Sequence, residues 1–489
     1  MSDTSSPPDH ASSAYQAKDV NEAFRGGARV PAFLGQINQA SVVMLAQAGV
    51  LDAATAGPLA AGILALDSDG GQRTGDYLDY EKRLADRVGP QASLVHAGRS
   101  RQDIASTLSR MNLRTDLLQV HAALTRVRQA VVELAGRHTD TVIPAYTHGV
   151  QAQPTTFAHY LLALSSALGR QLDRLADAYP RINLSPLGAA ALSGSSFPID
   201  RPRLAELLGF DGLVLNTYDA NHLGPVDSSL ELAGILASCA VQVSQFAQDV
   251  HSQYLAPLPW LTFKPSDLMG ISSLMPQKRN PAALEQLRAQ SALLLARMQA
   301  PYLLAHNVRT GMFDYRAYDP LPSQDSVALF GLLERIVGNL VVDVAQARAE
   351  VDADYSTVTE IADMLMQQAG VPFRVGHHYA SVLTDFGRSR RIRLADITHA
   401  QAAAIYREQT GEALPLDAAQ FGQCVDALRM IRGRKAAGGP QPAEAARLLD
   451  IEQAATDAAR AWHAAACRRL DEARSGLDER TRRLAAQAG

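Results

Sequence analysis

The sequence predicts an all-α protein built from long helices that pack side by side, and three observations predict it. Aromatic residues make up 6% of the 489 residues while Ala and Leu are abundant. Ala and Leu are the best helix formers, whereas β-branched and aromatic residues define strands. From Gln102 to Ala135 there is no Gly or Pro, and Val120, Leu124, Val127, Val131 and Leu134 recur at spacings of 4, 3, 4 and 3, the pattern of one apolar helix face. Three further stretches are nearly as long.

Taken in order, the Ser-, Pro- and Asp-rich start (residues 1–15) is expected to be a disordered arm. Residues 16–100 read as a smaller helical domain and 101–350 as the central helical-bundle domain. Its helices are Gln102 to Ala135, Gln153 to Ala178 before Tyr179-Pro180, Val226 to Ala256 interrupted only by Gly234, and Pro281 to Ala300. The last is expected to start with Asn280 as N-cap and Pro281 at the first helical position. Helices of this size are about 30–50 Å long and can pack only as an elongated bundle, whose exposed apolar surface calls for a symmetric homo-oligomer. Residues 351–489 read as a C-terminal helical domain with shorter helices, broken at Gly370-Val371-Pro372, Gly411 and Gly438-Gly439-Pro440, and an amphipathic Ala-rich tail from Ala443 to Ala488.

Composition narrows the function. The formal net charge is -4, and the cations are scattered among acids, so no basic stripe exists to bind nucleic acid. Cys239, Cys424 and Cys467 are far apart and odd in number, which supports neither a disulfide framework nor a cysteine zinc site and suits a reducing, cytoplasmic setting. No run reaches the ~18 apolar residues of a membrane span, and the N-terminus does not read as a secretory signal. Nor does a Gly-rich phosphate loop or a metal-ligand spacing suggest a cofactor.

The most specific stretch is Ser272-Ser273-Leu274-Met275-Pro276-Gln277-Lys278-Arg279-Asn280-Pro281. It is a polar loop with two hydroxyls, a cation and an amide, feeding a helix N-terminus whose free N–H groups attract a carboxylate. A plain surface turn with a good cap is the alternative.

This loop resembles the signature of the fumarase/aspartase superfamily, and three more stretches resemble its argininosuccinate lyase branch in the same order. They are His96-Ala97-Gly98-Arg99-Ser100-Arg101-Gln102-Asp103, Tyr146-Thr147-His148 with Ala152-Gln153-Pro154, and Leu187-Gly188 through Gly194-Ser195-Ser196-Phe197-Pro198-Ile199-Asp200-Arg201. Val358 to Phe373 also resembles that branch. The resemblance implies three helical domains, a central five-helix bundle, and a homotetramer with a twenty-helix core whose active sites are shared between subunits.

It also implies a carbon–nitrogen lyase that needs no cofactor and cleaves an N-succinyl amine by β-elimination to fumarate, reversibly. Such a reaction needs a base at Cβ and stabilisation of the charge forced onto the neighbouring carboxylate. By the resemblance Ser272 is the base, and Lys278 and Asn280 hold substrate carboxylates. His148 lies across the substrate beside Thr147, Glu285 orients it, and the proton donor to the leaving nitrogen is Thr147, His148 or a water. Ser100, Arg101 and Gln102 contact the succinyl carboxylates, Gln153 positions Thr147 or the substrate, and Tyr318, with Arg309 and Arg316, flanks the amine end.

Departures from the branch pattern cluster where substrate identity is decided. Gln102 replaces Asn, Ile271 Gly, Ala97 Thr and Tyr77 His; Gly224-Pro225 replaces Arg-Asp; Ser323 and Ser326 stand where Gln and Lys hold the amino-acid end of argininosuccinate. The readings left open are argininosuccinate, another N-substituted aspartate such as ethylenediamine-disuccinate, adenylosuccinate, and a non-enzymatic helical scaffold of the crystallin kind.

Overall fold

A computed structural model describes residues 29–69, 74–312, 314 and 323–488. The expected disordered arm lies outside the described residues. Three N-terminal helices, α1 (Val30–Gln47), α2 (Ala53–Ser68) and α3 (Tyr77–Val88), share one apolar core that includes Leu34, Ile37, Leu59 and Ile63.

The bundle consists of α4 (Arg101–Gly136), α5 (Phe157–Ile182), α8 (Gly224–Tyr254), α9 (Ala282–Ala305) and α10 (Ser323–Asn339), with the short α6 (Arg201–Leu207) and α7 (Thr217–His222) between α5 and α8. Val120, Leu124, Val127, Val131 and Leu134 all enter its core, as their spacing predicts. The chain runs up α4, down α5, up α8, down α9 and up α10. One end of the bundle therefore carries the start of α4 and α8, and the other carries the loops after α4 and α8.

Among the described residues, strands are confined to two- and three-residue pairs in the connections between helices. They are β1 (Val142–Ile143), β2 (Tyr146–Thr147), β3 (Val150–Gln151), β4 (Thr155–Thr156), β5 (Leu184–Ser185), β6 (Gly212–Leu213), β7 (Leu261–Phe263), β8 (Gly270–Ile271), β9 (Arg279–Asn280) and β10 (Leu340–Val342). All pairs are antiparallel except β5 with β6.

Three boundaries differ from expectation. Asn280 does not cap a helix: it pairs with Gly270 in the β8–β9 ladder, and α9 begins at Ala282 with Pro281 as its uncapped N-cap. α5 begins at Phe157, because Thr155 and Thr156 pair with β1 and Thr156 Oγ1 caps the helix by accepting from the His159 N–H. α5 also runs through Pro180, which sits in the last turn, where its missing N–H removes a single helical bond. α8 includes an 18-residue window apolar and long enough by composition to cross a membrane, and half of that window is buried within the chain, as in a core helix.

The C-terminal unit comprises α11 (Val344–Ala353), α12 (Val358–Ala369), α13 (Phe373–Arg390), α14 (His399–Thr410), α15 (Ala418–Cys424) and α16 (Ala427–Arg432), and Ile361, Tyr379, Leu383 and Phe421 are among its core residues. The tail is one 44-residue helix, α17 (Pro442–Ala485), which leaves that unit. It packs along α4 and α5, where Ala466 joins the bundle core, and then onto α1 and α2, where Leu477 joins the N-terminal core. Residues 351–489 are thus not one packing unit, because the apolar stripe of α17 is covered by the other two cores.

Candidate active site

The site residues fall into clusters at opposite ends of the bundle. Ser100 is the N-cap of α4: its Oγ accepts from the Gln102 N–H at 3.2 Å, and the Asp103 carboxylate accepts from the Ser100 N–H at 2.9 Å, a reciprocal capping box. Arg101 is exposed, and Gln102 Nε2 donates to the Asn221 carbonyl at 3.2 Å.

Asp103, outside the residues singled out from sequence, organises this end. It is fully buried, and its Oδ2 accepts from the N–H groups of Gly188 (3.0 Å) and Ala190 (3.1 Å), both of which have positive φ. Burial pushes its pKa up to about 6, against the pull of those N–H groups. Its spacing of three from Ser100 was the signal that could have found it. Asn221 completes the clamp by donating to the carbonyls of Ala190 and Ala191. The Leu187 to Arg201 stretch is thereby held against the start of α4. Tyr77, where the branch pattern has His, bonds His96 Nδ1 at 2.6 Å.

At the other end, Ser272, Lys278 and Asn280 lie on the β8–β9 hairpin, whose seven-residue loop spans residues 272–278. The Ser272 hydroxyl oxygen accepts from the backbone N–H groups of Met275 (3.0 Å) and Leu274 (3.3 Å). Two donors on one oxygen favour its anionic form. Ile271 and Leu274, at the loop, are 82% and 86% exposed. Lys278 is exposed, Asn280 half-buried, and Glu285 exposed on the first turn of α9.

Thr147 and His148 lie on the β2–β3 hairpin at this same end. Thr147 pairs with Val150, so His148 and Gly149 alone form the turn, with φ of 55 and 75; positive φ at both positions is the type I′ geometry. His148 is exposed at the tip. The sequence reading expects Glu285 to orient it, but the two side chains do not pair within one chain, because one tops a hairpin and the other faces outward from α9. Gln153 Nε2 donates to Thr359 Oγ1 at 3.4 Å. Tyr318 and Arg316 lie outside the described residues. Ser326 is fully buried in α10, and its neighbour Asp325 pairs with Arg297.

The Ser100–Gln102 cluster is separated from the Ser272 and His148 hairpins by α4, whose 36 residues span about 54 Å at the usual rise. One chain therefore brings Ser272 and His148 to the same end and cannot bring Ser100 or Arg101 to them. Among the described residues no three of His, Cys, Asp and Glu converge as metal ligands.

Comparison with known proteins matches the lyase family over residues 71–294 and the argininosuccinate lyase C-terminal family over residues 355–426. The chain is 32% identical to argininosuccinate lyase 2 of Agrobacterium fabrum over 464 residues, 90% of each protein. It is 29% identical to argininosuccinate lyase of Methanosarcina acetivorans over 85% of this chain and 86% of that one. Among solved structures, EDDS lyase in complex with formate superposes with a TM-score of 0.86 at 29% identity, covering 96% of both chains. The ordered motifs, the helical fold and these similarities agree that the chain belongs to the argininosuccinate lyase family of the fumarase/aspartase superfamily and is a carbon–nitrogen lyase.

Proposed function

We propose that the protein cleaves an N-substituted aspartate by β-elimination, releasing fumarate and an amine, and that Ser272 is the base that removes the Cβ proton. The observation that carries this reading is the pair of backbone N–H groups donating to Ser272 Oγ. They lower the cost of the alkoxide that a serine base requires. As the proton leaves, charge moves onto the adjacent carboxylate, where Lys278 and Asn280 hold it. His148, with Thr147 beside it, serves the leaving nitrogen, and Gln153 positions Thr147 or the substrate.

Ser100, Arg101 and Gln102 bind the succinyl carboxylates and come from another copy of the chain, a reading that the length of α4 supports. Glu285, which does not pair with His148 within one chain, is assigned as its partner from another copy. A homotetramer with shared sites accommodates both, and the outward-facing half of the apolar window in α8 is the surface it would cover. A cytoplasmic location fits three cysteines that are all unpaired.

For the amine half, an aminocarboxylic acid such as ethylenediamine-disuccinate is favoured. Ser326, which stands where the branch carries a Lys for argininosuccinate, is buried in its own chain and offers no cation, and an unpaired substrate carboxylate costs heavily. The 32% identity to a curated argininosuccinate lyase keeps argininosuccinate as the second reading. Fumarate absorbance with argininosuccinate, ethylenediamine-disuccinate and adenylosuccinate offered in parallel decides between them. Silence across the panel from a folded tetramer would overturn the lyase assignment of the amine class.

A further inference from the structure

The hairpin that presents His148 cannot hold itself in place. Each strand contributes two residues, and an isolated hairpin of that length is not stable in water. A histidine with φ of 55 keeps that conformation only where its surroundings impose it. In this chain a 3.5 Å contact from the Tyr146 hydroxyl to Gln253 on α8 is one such restraint, and the shorter ties run to α11 and the segment after it. Gln151, on β3, directs its Nε2 at the Ser356 hydroxyl (2.5 Å) and at the carbonyls of Glu350 and Val351 (3.4 Å each). Tyr146, on β2, donates its hydroxyl to the Glu350 carboxylate. Both strands of the hairpin are therefore tied to the junction of α11 and α12, one through each strand.

Beside these ties lies a cavity of about 640 Å³, with Thr147, Gln151 and Gln153 on one wall and Ser356, Thr359 and Arg388 on the other. The hairpin is not packed against a filled core on this side. Apolar packing of Val142 against Val351 holds the segment that leads into the hairpin, and the hairpin itself is held beside the cavity by the polar ties of Gln151 and Tyr146, so these ties decide where the tip sits.

We propose that Gln151 and Glu350 are positioning residues, which fix the β2–β3 hairpin to the C-terminal unit and so set where the His148 ring meets the substrate. This rests on the reading of His148 as a group that acts on substrate. The roles are geometric: neither residue lies at the tip, and neither exchanges a proton with substrate. Displacing a reacting group by about an ångström costs on the order of 100-fold in rate, which two severed ties at the base of a short hairpin can produce.

The test uses the full-length tetramer and the variants Gln151→Ala, Glu350→Ala and Glu350→Gln, with Tyr146→Phe as a second cut of the same tie should an alanine variant fail to fold. Hydrogen exchange of the 146–151 amides is measured beside kcat and KM for fumarate release. The alanine variants are expected to exchange faster across the hairpin and to lose about 100-fold in kcat, with KM within about twofold. Glu350→Gln, which still accepts from the Tyr146 hydroxyl, returns kcat to within about threefold of the parent. Unchanged exchange, or faster exchange with unchanged kcat, overturns the proposal. So does a loss in which stability and KM change together while Glu350→Gln fails to rescue, which is the mark of a structural role alone. A parent enzyme that releases no fumarate from any succinyl amine defeats the reading of the site instead, and the exchange arm then decides by itself whether these residues hold the hairpin.

Discussion

Arg128 on α4 and Glu452 on α17, 324 residues apart in sequence, form a 2.9 Å ion pair between largely buried side chains, and Ser165 on α5 donates to the same carboxylate oxygen at 2.6 Å. This triad is the polar bolt that fixes the returning tail helix to the bundle. Removing one partner strands the other charge in the interior. Glu452→Ala is therefore expected to cost about 3–5 kcal/mol, read as a fall in chemical-denaturation midpoint, whereas the paired change Arg128→Met with Glu452→Leu costs much less. Equal losses from both would show that the cost comes from losing the pair's own interaction and not from a charge left alone in the interior.

Gly224, one of the departures from the family pattern, is explained by Arg110. The Arg110 guanidinium donates to the carbonyls of Arg181 (2.7 Å), Ile182 (3.0 Å) and Gly224 (3.2 Å), closing the end of α5 onto the start of α8. A Cβ at 224 would lie 2.8 Å from Arg110 Nη2. Gly224→Ala is expected to displace the guanidinium and leave buried carbonyls unpaired, at about 1–3 kcal/mol. A thermal midpoint equal to the parent's would contradict this packing.

Acid should loosen the contact between α4 and α17. His121 is buried, stacks on His463 with ring centroids 5.8 Å apart and meets Trp462 at 4.6 Å. Burial first, and then the neighbouring His463, pull its pKa down to about 3. The unfolded histidine takes up a proton near pH 6.5, which folded His121 refuses until about 3. Stability thus falls as pH drops through that window, by at most about 1.4 kcal/mol per pH unit from this group. His121→Phe should flatten the slope of stability against pH between these limits, and an unaltered slope would rule His121 out as its source.

Shared sites can be tested by mixing. Ser272→Ala and Arg101→Ala chains are each expected to be inactive or nearly so, yet a co-refolded mixture should regain part of the parent activity. In hybrid tetramers some sites draw Ser272 from one chain and Arg101 from another, so both are native there. No recovery in tetramers shown to be mixed would mean that each site takes these residues from one chain, against the separation imposed by α4.

The long helices were legible because Gly- and Pro-free runs with a helical apolar period leave little else for the chain to do. α4 begins and ends within a residue of its expected limits. The misplacements have local causes. Asn280 before Pro281 reads as a helix cap, but pairing with Gly270 claims it for a two-residue ladder, and pairs that short leave no alternation to read. Pro180 breaks a helix on average and not in its last turn. The course of α17 was hidden because its amphipathic stripe shows that one face is covered without showing by what. The motifs located the Ser272, His148 and Ser100 segments, while the geometry that links them to Asp103, Asn221, Gln151 and Glu350 depends on contacts between residues far apart in the chain.

The central claim, a succinyl-amine lyase with Ser272 as its base, is tested most directly by following fumarate absorbance with ethylenediamine-disuccinate for the parent and for Ser272→Ala. Fumarate release by the parent and a loss of about 1,000-fold or more in kcat in a folded Ser272→Ala tetramer is the expected result. Turnover by Ser272→Ala at the parent rate would contradict it and return the base to be found elsewhere in the site.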